Sequence, residues 1–259
     1  MRALSLALVC ALTGYLTCTT AWAASYEQQA LHFEQQAQWT EARRAWQSEL
    51  IQHPKNLDAR YHLAQLLQQA GHQSDAQALY EKNMQIGKHL NTTITLSQLY
   101  LKQKKRSQAI KLLKKSTKTF RNEAVPWYLL AELASQNKQN NKARKYFQKA
   151  LKADPMNGFA HLRYARFLSS QKQYPQAIKH AKKALRIKTT CATCWRIYGD
   201  ILQAAKQPKD ALKAYQHSLA IQPNSETRQH LINILQQLGK HQRAKRMQQA
   251  LDAWKKNNK

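Results

Sequence analysis

The chain has 259 residues, with 42 Lys and Arg against 14 Asp and Glu, for a formal charge of +28. Six Gly and six Pro beside abundant Ala, Leu, Gln and Lys argue against long strands and for helices. A field of this sign attracts anions.

Residues 1–23 form a segment of their own. Arg2 precedes the apolar run from Ala3 to Leu16, and Ala21-Trp22-Ala23 supplies the small residues that signal peptidase needs. Cleavage is expected after Ala23, which leaves +27 because Arg2 is the only charge in the segment. A run of about 14 residues falls short of the roughly 20 that cross a bilayer as a helix, so a retained anchor is the weaker alternative. The expectation is an exported protein of a bacterial periplasm. Cys10 and Cys18 would leave with the signal, and Cys191 and Cys194 would remain.

From there a period dominates. Alanines at 42, 76, 109, 143, 177, 211 and 244 are spaced by 33 or 34 residues. Each sits early in an amphipathic segment, and a second apolar segment ends about eight residues before it. The period predicts helical hairpins near 23–56, 57–89, 90–123, 124–157, 158–191, 192–224 and 225–258. All six prolines fall at the boundaries this predicts. Pro54, Pro155 and Pro223 close hairpins, Pro126 opens a first helix, and Pro175 and Pro208 open second helices, where a missing N–H is harmless. Gly71 and Gly239 fall in the tight links inside a pair, where positive φ is expected.

The fourth copy reads Trp127, Leu130, Ala131, Ala134, Ala143, Phe147, Ala150 and Pro155. The sixth reads Trp195, Tyr198, Gly199, Leu202, Ala211, Tyr215 and Pro223, and the first Tyr26, Ala30, Phe33, Ala42, Trp46 and Pro54. These residues resemble the tetratricopeptide repeat, a 34-residue hairpin pattern, and the resemblance spans nearly all of the chain after residue 23. It implies an all-α fold, a right-handed α-solenoid of about seven hairpins forming one body over residues 24–259. Small residues such as Ala131, Ala165 and Gly199 would let paired helices approach, while Trp46, Tyr80, Phe147 and Tyr215 fill the space between neighbours. The third copy departs from the pattern with Thr93, Leu96 and Ser97 at the aromatic, Leu and small positions and Arg121 in place of Pro. Gln248, Gln249, Lys255 and Lys256 give the last pair a polar outer face suited to capping.

No phosphate loop, His-Glu-x-x-His run or nucleophile elbow occurs, and carboxylates are scarce and scattered. The reading is non-catalytic, with no cofactor and no metal. Cys191-Ala192-Thr193-Cys194 is the one motif with chemistry of its own. It falls where one hairpin ends and the next begins, and a disulfide, two packed thiols, or a redox or metal role are all compatible with it. Haem attachment would need His after the second cysteine, where Trp195 stands.

In tetratricopeptide proteins the first helices line a concave groove that binds a protein segment. The positions that commonly touch the partner carry over to Tyr61, His62 and Gln65 in the second hairpin, Tyr128 and Glu132 in the fourth, Phe159, Arg163 and Arg166 in the fifth, and Arg196 and Asp200 in the sixth. Arg163, Arg166 and Arg196 fall on adjacent first helices and form a candidate clamp for carboxylate or phosphate, with pairing to Asp200 as the structural alternative. The family's carboxylate-clamp residues, Lys and Asn at fixed positions, are not reproduced here. Second helices carry Lys111, Lys114, Lys115 and Lys118, then Lys142, Lys145, Lys149 and Lys152, then Lys179, Lys182, Lys183 and Arg186. The resemblance puts them on the convex side.

The leading expectation is a scaffold that takes a protein or peptide partner, including acidic ones, in its groove and supports complex assembly in the cell envelope. The rivals are a binder of an anionic envelope polymer or lipid surface through the convex lysines, and a thiol-redox protein using Cys191 and Cys194. Nucleic acid is not an expected partner, since no row of exposed aromatics is there to stack bases.

Overall fold

In the computed structural model, residues 25–257 are described, and the predicted signal segment lies outside them. Fourteen helices and no strand occur among the described residues. In chain order they are α1 (Tyr26–Gln35), α2 (Trp39–Gln52), α3 (Leu57–Gln69), α4 (Gln73–Ile86), α5 (Leu90–Lys102), α6 (Arg106–Thr119), α7 (Ala124–Gln136), α8 (Asn140–Ala153), α9 (Gly158–Ser170), α10 (Tyr174–Ile187), α11 (Ala192–Ala204), α12 (Pro208–Ile221), α13 (Ser225–Gln237) and α14 (His241–Asn257). They follow one another as seven pairs, the expected number. The chain divides into two compact units, one ending at Leu112 and the other beginning at Leu113, within α6.

Small residues decide the pairing. All seven ruler alanines are buried, and so are the large residues four positions later in four hairpins: Trp46, Tyr80, Phe147 and Tyr215. Each of these four lies sixteen residues after a buried small residue of the same hairpin, namely Ala30, Ala64, Ala131 and Gly199. The tightest case is Gly199, where a Cβ would stand 2.6 Å from Cε1 of the Tyr215 ring. Only a residue without a side chain lets α11 and α12 meet over that ring.

The links repeat as regularly as the alanines. Ala37, Gly71, Lys104, Lys138, Lys172, Lys206 and Gly239 all have φ between 57° and 88°, and each stands five residues before a ruler alanine. Each link closes by the same two backbone bonds: Lys138 N donates to Ser135 O and Gln139 N to Ala134 O, as Lys206 N does to Gln203 O and Gln207 N to Leu202 O. This is the Schellman termination, which calls for a left-handed residue just past the helix. Glycine was expected at Gly71 and Gly239 alone. The structure puts lysine in the same conformation four times, because the hydrogen-bond pattern of the short link requires it whatever the side chain.

The weak third copy is held in the first unit by polar bonds. Asn83, fully buried, donates through Nδ2 to Leu57 O (2.7 Å) and Thr92 Oγ1 (2.9 Å), and its Oδ1 accepts from Arg60 Nη1 (3.2 Å). Arg60 is itself buried and also donates to Pro54 O, and burial lowers its pKa. Thr93 and Ser97, polar where the pattern wants an aromatic and a small residue, turn their hydroxyls onto the carbonyls of His89 and Thr93 in the turn before them.

A left-handed conformation costs a non-glycine residue on the order of 1 kcal/mol. Lys138→Gly, Lys172→Gly and Lys206→Gly should therefore each raise stability by roughly 0.5–1 kcal/mol, and the triple variant by about the sum, since the links are far apart. Urea melts check this, and a fall in the midpoint would contradict it.

Candidate functional site

In the second unit the first helices α7, α9 and α11 pack directly against one another in series. Their free faces make one surface, and between α7 and α9 it sinks into a hollow of about 320 Å³. The lining comprises Glu132, Ser135 and Gln136 from α7, Phe147 from α8, and Arg163, Arg166, Phe167 and Ser170 from α9. The hollow has a simple origin. In other hairpins the polar tip of the large buried side chain reaches the residue four after the small position: Trp46 Nε1 to Glu34 (2.8 Å), Tyr80 Oη to Gln68 (3.3 Å) and Tyr215 Oη to Gln203 (3.0 Å). Phe147 has no polar tip, and the space toward Ser135 stays open.

The arginines differ in state. Arg163 Nη1 meets Glu132 Oε1 at 2.5 Å, and its guanidinium lies 4.9 Å over the ring of Tyr128. Burial pushes the Tyr128 phenol up, while Arg163 acts against that. Arg166 is exposed on the rim and makes no ion pair among the described residues. The clamp of three arginines needs correction, because Arg196 does not line the hollow. Its Nη1 is held by Asp200 Oδ2 at 3.1 Å and Glu226 Oε1 at 3.3 Å, and Asp200 Oδ1 also accepts from Tyr215 Oη at 2.8 Å. That tie supports the large residue of the sixth hairpin. Phe159 is exposed but carries Lys188 Nζ 4.2 Å over its ring.

In the first unit the predicted groove residues are tied to one another. His62 stacks on Trp46 at 4.7 Å with Nδ1 3.3 Å from Glu34, which also accepts from the indole. Tyr61 Oη accepts from Gln65 Nε2 at 3.1 Å and lies 3.4 Å from Thr95 Oγ1.

Cys191 and Cys194 are joined by a disulfide. Cys191 is the N-cap of α11, its sulfur accepting from Cys194 N at 3.1 Å, and Cys194 is fully buried. The bridge therefore pins the first turn of a groove helix. No group of three or more His, Cys, Asp or Glu able to hold a metal occurs among the described residues.

Sequence reasoning missed a histidine pair under the hollow. Phe147 stacks on Tyr164 (5.2 Å), Tyr164 meets His180 (4.8 Å), and His180 Nδ1 lies 2.9 Å from Nδ1 of the buried His161. His161 Nε2 faces Pro155 O at 3.2 Å and so carries its proton there. Its Nδ1 is then a lone pair, and His180 must donate from Nδ1. A proton added to His161 Nδ1 would break the bond. Burial, with His161, Lys179 and Lys183 nearby, lowers His180 to about 4, and burial likewise lowers His161. With folded values below the unfolded 6.5, the unfolded chain binds more protons, so this contribution is complete above pH 6.5 and is lost as pH falls toward 4. Between pH 7 and 4.5 the chain should lose on the order of 2 kcal/mol that a His180→Asn variant does not lose. Urea midpoints at the two pH values test it, and parallel pH profiles would contradict it.

Two family profiles match the chain: a tetratricopeptide repeat-like domain over residues 125–240 and a tetratricopeptide repeat over residues 27–82 and 94–155. No curated protein matches it in sequence. Among solved structures it is similar to MamA, from residue 41 to the end, of Desulfovibrio magneticus RS-1, at 20% identity and a TM-score of 0.55, over 64% of this chain and 95% of that one. It is also similar to PilF of Pseudomonas aeruginosa, at 20% identity and 0.57, over 63% and 75%. A chain of the APC/C hetero-tetramer Cut9-Hcn1 aligns at 19% identity and 0.65, over 82% of this chain and 42% of that one. At these identities the likeness is one of fold.

Proposed function

The chain belongs to the tetratricopeptide repeat family, and from that premise we propose that it is a non-catalytic scaffold whose first-helix face in the second unit holds a segment of a partner protein. The observation that carries this reading is the hollow between α7 and α9, polar at its rim and floored by Phe147 and Phe167, with the exposed guanidinium of Arg166 beside it. Arg163 is already matched by Glu132, so Arg166 is the cation left to meet a partner carboxylate, and Ser135 and Ser170 put hydroxyl oxygens beside it. The phenylalanine floor accepts an apolar side chain. The partner is thus a segment with an acidic residue next to an apolar one.

Residues 1–23 carry the second part of the proposal, that the scaffold works in the cell envelope after export, with cleavage following Ala23. Supporting assembly of a larger complex is the role that fits a non-catalytic chain of this kind.

One preparation tests both parts. A photo-crosslinking residue at Ser170, in cells making the full chain, should yield a discrete adduct in the envelope fraction, with a chain mass that starts at Ala24. Arg166→Glu should reduce the adduct at least tenfold. An adduct that forms equally from Gln148 on α8, or that ignores the charge reversal, contradicts the groove reading, and a mass that retains residues 1–23 contradicts the cleavage.

A further inference from the structure

The excess charge is not spread evenly. From Leu113 onward the chain has 30 Lys and Arg against 7 Asp and Glu, so this unit holds 23 of the 28 excess positive charges. Every ion pair among the described residues is made by an Arg or a His, and none by a Lys. The lysines of this unit are therefore not matched by carboxylates among the described residues, although Lys149 and Lys188 lie over the rings of Trp127 and Phe159.

Their positions are in register. Lys145, Lys179, Lys213 and Arg246 each stand two residues after a ruler alanine and seven after a left-handed link, on the consecutive second helices α8, α10, α12 and α14. All four are exposed. A residue at one position of a stacked repeat recurs once per hairpin along the stacking direction, so these cations form a row that crosses the helices. Lys149 and Lys183, then Lys152 and Arg186, extend shorter parallel rows on α8 and α10.

We propose that this second-helix face binds an unbranched polymer whose phosphates repeat along its backbone and carry no bases, lying across the helices from α8 to α14. Three observations select this occupant. The rungs are mostly lysines, compact point charges that meet single phosphate oxygens without a fixed fork geometry. The exposed large apolar side chains of the unit are Met156, Phe159, Ile221 and Trp254. Met156 lies in a link, Phe159 on a first helix, and Ile221 and Trp254 toward helix ends, so nothing between the rungs inserts into a bilayer. For the same reason no aromatic row is offered to stack nucleic-acid bases.

The test uses the full chain and long-chain inorganic polyphosphate as the probe, titrated over a range of salt. Replacing Lys145, Lys179, Lys213 and Arg246 by Gln together should weaken binding at least tenfold and lower the slope of log affinity against log salt by about 3, at roughly 0.7 per neutralised phosphate. A control replaces Lys138, Lys172, Lys206 and Lys240 by Gln, removing the same charge at nearly the same spacing from the hairpin links. It should weaken binding less than threefold. Equal loss in the two variants overturns the proposal, because the general field then suffices. Tighter binding of single-stranded DNA, poly-glutamate or anionic phospholipid vesicles than of polyphosphate also overturns it. Circular dichroism of both variants confirms that the helices persist.

Discussion

The close approach of two helices over a small residue is the constraint on which everything else rests. An α-helix pair packed over Ala or Gly brings its backbones near enough for a large side chain of the second helix to be enclosed. At Gly199 the margin is nil, since a single added carbon would lie 2.6 Å from the Tyr215 ring. Ala30, Ala64 and Ala131 hold the same place before Trp46, Tyr80 and Phe147. With the separation fixed, each link must turn within a few residues, and the left-handed position at its centre follows whether Gly, Ala or Lys occupies it. The buried aromatic then sends its polar tip to the free face of the first helix, where it takes up a residue that would otherwise meet a partner. Phe147 cannot do this, and beside it the surface opens.

The two helices of a hairpin thereby acquire different surfaces. First helices of the second unit share one face, on which most charged groups are matched, as Arg163 is by Glu132 and Arg196 by Asp200 and Glu226. Second helices carry lysines that meet no carboxylate among the described residues. A neutralised face with one exposed arginine favours selective recognition of a short segment, whereas a row of unmatched ammonium groups favours a long polyanion and depends on ionic strength. The disulfide caps the first turn of α11, and the histidine pair ties α9 to α10.

Much of this was legible in the sequence because repetition multiplies weak signals. One alanine means little, but seven at intervals of 33 or 34 located every hairpin, and six prolines confirmed the boundaries independently. The links were only half legible: Gly71 and Gly239 announced positive φ, while lysine at 104, 138, 172 and 206 gave no local sign, and only their common distance from the ruler alanines identifies them. The groove was legible by position and not by state. Arg196 occupied the expected place, yet its partner Glu226 lies thirty residues on in the next hairpin, where single-helix reasoning does not reach. His161 and His180 escaped notice for the same reason, being nineteen residues apart on two helices of one pair.

The central claim, that helix separation over the small position governs the hairpin, is tested most directly by the unfolding free energy of Gly199→Ala. Helix propensity alone predicts a gain of about 1 kcal/mol, because Ala is the better helix former. The packing account predicts the opposite sign, a net loss of roughly 1–2 kcal/mol, because the new methyl meets a ring held by hydrogen bonds to Asp200 and Gln203. A stabilised Gly199→Ala protein with unchanged cooperativity would contradict the account.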